Sequence, residues 1–270
     1  MITGLNLVSP LPAQVLFKLQ IDKGDQQLTD IRAEKAVQKE IDYFNEAAPK
    51  ILTIDDFLAD RRLVEFATVA GGMFEERFKT GLLKRVLTEP RSDEKSAANV
   101  LPDKRFLGLA ETLEFDTLGT SNLRSKTFRD TFTDSYVKGI QSLRIEAQNP
   151  AVSAALFLRK EASGINSPFE ILGSATLREV FTIAFDIPRE IAVQPVESQA
   201  AFIGRVVDLK DLQDPEKVDK IIQRFLIKVD LDGGPGATPL TGPNAFVLDL
   251  FNPLPSGGGS AIGALFNLST

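Results

Sequence analysis

The chain has 270 residues, 43% of them apolar and 25% charged, with a formal net charge of −6, which is the composition of a folded protein long enough for one large or two small domains. It contains no His, no Cys and no Trp, and this excludes thiol chemistry, the usual imidazole and thiolate zinc sites and every triad built on His. The acidic balance argues against a general nucleic-acid footprint, and 19 Phe against 2 Tyr marks the aromatic content as packing material.

Residues 1–27 mix apolar residues with two prolines and a Lys23-Gly24-Asp25 turn signal, so the sequence predicts a partly extended N-terminal arm. The first basic residue is Lys18. No charged leader region precedes Leu5–Val8 and no apolar run has the length of a membrane span, which predicts a soluble chain without a cleavable signal peptide. From Thr29 to about Ala48 helix formers dominate, with Ile31, Val37, Ile41 and Phe44 on one face and Pro49 closing the helix. Thr53 is the expected cap of a short helix to about Ala59, and Asp60 of a second one bearing Leu63, Phe66, Ala67 and Ala70. A third helix is expected from Glu75 to Leu87 with Phe78, Leu82 and Val86, and a fourth from Lys104 to Glu114 with Phe106, Leu107 and Ala110.

A long helix from about Lys126 to Ala147 carries Phe128, Phe132, Tyr136 and Ile140 four apart. After it come Ala151–Lys160, whose Phe157 is the expected counterpart of Phe44, then Ser198–Val207, and a last helix capped by Asp214-Pro215 and running through Val229. Beyond Asp230 the chain is rich in Gly and Pro. The expectation there is a flexible tail, with one strand-like segment at Ala245–Phe251 and an apolar stub at Ser260–Leu268.

Residues 51–73 align without a gap on residues 165–187, with six of 23 positions identical: Ile51, Leu58, Leu63, Glu65, Thr68 and Ala70 fall on Ile165, Leu172, Leu177, Glu179, Thr182 and Ala184. Thr53 with Asp56, and Ser167 with Glu170, both have capping-box spacing. Further on, LLKRVL lies over FIGRVV, pairing Arg85 with Arg205 and Val86 with Val206. The expected fold is therefore all-α: two copies of a helical unit about a pseudo-twofold axis, with a bracing helix between them and an irregular Gly/Pro-rich C-terminal tail. The expected divisions are an arm and helix start at 1–35, a first repeat at 36–118, the bracing helix at 119–148, a second repeat at 149–230 and the tail at 231–270.

The densest charged run is Asp55, Asp56, Asp60, Arg61, Arg62 and Glu65. Its acids could ligate a metal, but the second copy retains only the capping positions, so the structural reading prevails. Retention of Glu65 with Arg85, and of Glu179 with Arg205, predicts a half-buried Glu–Arg pair tying the second helix to the third in each copy. The Gly-rich stretches at Asp232–Gly236 and Gly257–Ser260 lack the context of a phosphate cradle and read as linkers. No catalytic, cofactor-binding or metal-ligating residue is assigned, and the chain is not expected to be an enzyme. A carboxylate and divalent-metal enzyme using Glu65 and Glu179 is the least favoured reading.

DYFNEAAPKILTIDDFLADRRLVEFATVAGG at 42–72, LLKRVL, SAANVLPDKRFLGLAETLEF at 96–115, QNPAVSAALFLRK, LREVFTIAFDIP and DPEKVDKIIQRFL occur in this order and together resemble the family of the domain of unknown function 1217, over residues of roughly 20 to 230. The resemblance implies a protein of alphaproteobacteria encoded within flagellar gene clusters, and so a structural or adaptor role in the flagellar system with flagellar proteins as partners. It implies no reaction, cofactor or nucleic-acid partner. A cytoplasmic regulator or export chaperone that holds a partner helix in a groove is the alternative. The expected location is the cytoplasm or, by signal-independent export, the flagellum, with the arm and the tail as contact elements that order on a partner.

Overall fold

The computed structural model describes residues 11–231. Every regular element among them is helical: α1 (Ala13–Ala33), α2 (Lys35–Ala47), α3 (Ile54–Ala59), α4 (Arg61–Ala70), α5 (Thr80–Thr88), α6 (Ala97–Val100), α7 (Arg105–Leu113), α8 (Phe115–Leu118), α9 (Lys126–Gln148), α10 (Pro150–Glu161), α11 (Pro168–Gly173), α12 (Ala175–Ala184), α13 (Val196–Val206) and α14 (Pro215–Leu231), linked by short 3-10 segments. No helix among the described residues is long and apolar enough to cross a membrane. The helical fold expected from periodicity is thus present. The expected strand at 245–251, the stub at 260–268 and both Gly-rich stretches lie outside the described residues.

Two compact units divide these helices. One is continuous in sequence, residues 25–147. The other joins residues 11–24 to residues 148–231.

In the continuous unit, α2 and α4 share an apolar seam. Val37, Ile41 and Phe44 of α2 recur at helical spacing and are buried, as are Leu63, Phe66 and Ala67 of α4. Phe66 is sandwiched between Phe44, ring centroids 4.2 Å apart, and Tyr136 of α9, 3.9 Å apart, with Phe132 tilted against both phenylalanines. Stacks of this kind add about 0.5–1.5 kcal/mol each beyond area burial. Thr53 begins α3 with a reciprocal capping box: its hydroxyl accepts from the Asp56 N–H at 3.1 Å and the Asp56 carboxylate accepts from the Thr53 N–H at 3.0 Å. Asp60 ends α3 and caps α4, accepting from the N–H groups of Arg62 and Leu63.

In the other unit, Asn149 caps α10 with Pro150 at the first helical position, Ser167 caps α11 with Pro168 there, and Ser174 caps α12. α14 packs on α10 and α12, burying Val218, Ile221, Ile222, Phe225 and Leu226. The first turn of α1 joins this unit through Asp230. Its carboxylate accepts from the Ala13 N–H at 2.8 Å and the Gln14 N–H at 3.4 Å, so the last turn of one helix caps the start of another.

Several expectations are corrected. The extended arm is helical from Ala13, and α1 continues through Lys23, Gly24 and Asp25 without a turn. Glycine in a helix interior costs about 1 kcal/mol, and the buried Ala13, Leu16, Phe17 and Ile31 on the same helix outweigh it. The helix expected from Thr29 to Ala48 is divided at Glu34, which is extended and starts α2. The helix expected from Glu75 to Leu87 is a 3-10 segment, Phe74–Phe78, and then α5; Phe78 is 60% exposed and does not join the core. Phe157 is part-exposed, and Leu158, fully buried, occupies the position corresponding to Phe44.

A buried polar cluster and its surroundings

The charged run at 55–65 is spread over separate roles. Asp55 is exposed and pairs with Lys84 at 2.6 Å, while Asp56 and Asp60 cap helices. Asp60 also accepts from the Tyr43 hydroxyl at 2.6 Å, a bond that raises the phenol's pKa above its ordinary value. Arg62 lies over the Tyr43 ring, 3.6 Å from its centroid, and donates to Glu40 at 3.1 Å. Arg61 donates to Glu65 at 3.0 Å. No group of three or more acidic side chains among the described residues is placed to share a metal ion.

The Glu–Arg tie between the second and third helices is not formed. Glu65 takes its partner from one turn earlier on α4, Arg61, and Arg85 bonds Glu89, the residue just after α5, at 2.7 Å. An i,i+4 partner needs no long-range positioning, and this proximity decides the pairing. In the second copy Arg205 donates to the Ala201 carbonyl on its own helix, while burial raises the pKa of Glu179. The second capping box is also incomplete. Ser167 accepts from the Phe169 N–H, and the Glu170 carboxylate reaches past the cap to the Asn166 N–H.

What sequence reasoning missed is the polar interior of the continuous unit. Glu40 of α2 is 4% exposed, Glu65 2% and Tyr136 0%. Glu40 Oε1, the Thr133 hydroxyl and the Tyr136 hydroxyl have no hydrogen-bond partner within the protein. Thr133 and Tyr136 are three apart on α9 and so face one side of it. Burial, with Glu40 and then Glu65 acting on the ring, drives the Tyr136 hydroxyl far above its usual pKa, so it stays neutral at any physiological pH. Glu40 and Glu65 are nearly covered, and with Thr133 and Tyr136 they form a polar interior where α2 and α4 pack against α9. The available signal was an acid at position 40, on the apolar face that Val37, Ile41 and Phe44 define.

A second network surrounds Arg105. Its Nε donates to both Asp103 oxygens at 3.0 Å, and one terminal nitrogen donates to Asp103 and Glu75, each at 2.7 Å. The other donates to the Gly72 carbonyl. Burial opposes the Arg105 charge, yet these acids hold its pKa above the ordinary value.

The exposed apolar residues form a different class of candidate. The 3-10 segments Phe74–Phe78 and Arg189–Val193 both end on one: Phe78 is 60% exposed and Val193 88%. The Arg77 guanidinium lies between the Phe74 and Phe78 rings, 3.9 and 4.1 Å from their centroids, and fixes Phe78 outward.

No curated protein matches this chain. The crystal structure of a protein from Agrobacterium tumefaciens is similar at 29% identity, with a TM-score of 0.70 over 83% of this chain and 98% of that one. The family described as protein of unknown function (DUF1217) matches residues 70–218, which include Glu75, Asp103, Arg105, Tyr136 and Val193. That span is more than half of the chain, and this protein belongs to the DUF1217 family.

Proposed function

We propose that this protein is a non-enzymatic structural or adaptor protein of the bacterial flagellar system, built from one helical unit used twice and acting by contact with other flagellar proteins. What supports the duplication is the recurrence of element boundaries. A shift of 114 residues carries α3 onto α11, α4 onto α12, and the 3-10 segment Ala48–Lys50 onto Ala162–Gly164. The interiors correspond as well: Phe57 falls on Ile171 and Leu63 on Leu177, while Phe66-Ala67 becomes Val180-Phe181, which moves the large ring by one position.

The contact role rests on one observation, the exposed apolar residue that ends the corresponding 3-10 segment in each copy, Phe78 and, one position further on in the second copy, Val193. A side chain that the fold spends a cation–π contact to hold outward suits a partner's surface better than solvent. The flagellar assignment comes from the family resemblance, and it implies work in the cytoplasm or, after export, at the flagellum. The tail from Leu231 is a further contact element in this reading.

The test is affinity capture from a flagellated host with three baits: the full chain, the F78S/V193S double variant and a chain ending after Leu231. Flagellar components captured by the full chain and lost with the double variant support the reading. Loss on truncation alone moves the contact to the tail. Recovery of no flagellar protein by folded full-length bait refutes the assignment.

A further inference from the structure

Arg77 is the one arginine among the buried side chains of the described residues, with 9% of its surface exposed, and this burial lowers its pKa. A guanidinium taken out of water is ordinarily met by a carboxylate. The bases around it follow that rule: Arg61 holds Glu65 at 3.0 Å, Arg105 holds Glu75 at 2.7 Å and Lys79 holds Glu76 at 2.7 Å. Arg77 does not. Among the described residues no carboxylate lies within ion-pairing distance of it; Nη1 donates to the Phe74 carbonyl at 3.0 Å, and Nε is covered without an acceptor. What covers the guanidinium is aromatic, and the outer of its two rings, Phe78, is itself a surface side chain. Turning that ring uncovers the edge of the guanidinium. A second guanidinium, Arg61, lies 5.6 Å from the Phe78 centroid, so the exposed ring is bordered by two cations, of which Arg77 is uncompensated.

We propose that Phe78 and Arg77 form one recognition site, which takes an Asp or Glu of a partner protein lying beside an apolar residue. The carboxylate accepts from the planar Arg77 fork, a geometry that suits it bidentately, and the apolar neighbour packs on Phe78. This rests on the reading of Phe78 as a contact and adds the chemistry of the segment that meets it. Charge complementarity selects an acidic segment, because the protein's own acids at Glu65, Glu75 and Glu76 are already engaged. The anion site belongs to the first copy alone. In the corresponding segment Arg189–Val193 the residue before the exposed one is Ala192, so the second contact is apolar and the two copies suit chemically different surfaces.

Titration of the full chain with blocked Leu-Glu-Leu and Leu-Gln-Leu peptides, followed by NMR of the arginine Nε–H groups, isolates the charge. The Glu peptide is expected to shift the Arg77 Nε–H and to bind roughly tenfold more tightly than the Gln peptide, the difference between a charge-assisted and a neutral hydrogen-bonded pair. The preference should fade as pH falls through about 4.3, where the peptide's Glu takes up its proton. R77M keeps an unbranched side chain between the rings; if Arg77 merely props Phe78 the preference survives in it, whereas an anion site requires that the two peptides bind R77M alike. R77K, with the charge but no fork, should retain part of the preference. A wild type that binds the two peptides equally, or R77M that keeps the preference, overturns the proposal. If R77M does not fold, the wild type decides it, and an Arg77 Nε–H that the Glu peptide leaves unshifted overturns it. F78S binding the Glu peptide as tightly as the wild type overturns the contact role of Phe78 instead, which tells the failure of that reading apart from the failure of the anion site.

Discussion

Gly139 of α9 lies against the backbone of Val69 in α4 so closely that a Cβ at 139 would fall 2.8 Å from the Val69 carbonyl carbon and 2.9 Å from its Cγ1, with the carbonyl oxygen nearer still. Val69 is in the last turn of α4 and its carbonyl is held by the Gly72 N–H at 3.0 Å, so its backbone cannot simply step aside. G139A is therefore expected to destabilise the continuous unit by about 3 kcal/mol or more, at the upper end of overpacking costs, although alanine is the better helix former. Urea unfolding of the two proteins measures it, and a more stable G139A would refute this packing.

Tyr136 gives the opposite expectation. Its ring stacks on Phe66 while its hydroxyl meets no protein partner at full burial. Removing an unpaired buried hydroxyl and keeping the ring should be neutral or stabilising by up to about 1 kcal/mol. Y136F with an unchanged or higher Tm fits. A loss beyond about 1 kcal/mol would mean that the hydroxyl is bonded, for instance through an internal water to Glu40.

The two helix starts at equivalent positions differ in chemistry. Thr53 takes part in a reciprocal box, whereas Ser167 makes one bond to the Phe169 N–H and precedes a proline that needs no partner. T53A is expected to cost about 1 kcal/mol or more and S167A less. Equal losses in thermal melts would contradict the asymmetry.

Asp116 contributes to the response to acid. Burial raises its pKa, but the Arg91 guanidinium and backbone N–H, at 3.0 and 3.1 Å, outweigh it and hold the carboxyl below the ordinary aspartate range. A depressed native pKa contributes stability that is present above the unfolded value, about 3.9, and lost as pH falls through the folded one. D116N should be less stable than the wild type at pH 7, by about 1–3 kcal/mol, with the gap closing below pH 4. Denaturant titrations at pH 7, 5 and 3 give the trend, and a gap constant with pH would refute it.

Legibility in the sequence followed the range of the interaction. Helices α4, α7, α9 and α14, and the caps at Thr53, Asp60 and Asp214, depend on neighbours a turn away and were readable from spacing alone. Gly24 was misread because the residues that keep α1 helical are distributed along its whole buried face. Glu65 was given Arg85 because two copies retained both residues, yet retention records that a position matters and not which atom it meets. Glu40 and Tyr136 come from helices about 90 residues apart in sequence, and nothing local in either segment announces the other. The Arg105 network joins Asp103 to Glu75, which lies 30 positions earlier, and was invisible for the same reason.

The bond from Ala13 to Asp230 joins positions 217 apart in sequence. During synthesis the N-terminal residues emerge first, but their unit stays incomplete until α14 has left the ribosome, while residues 25–147 can already close on themselves. At about 5–20 residues per second, the first turn of α1 waits on the order of ten seconds or more with its buried face uncovered. The first turn of α1 is among the last parts of its unit to find its place.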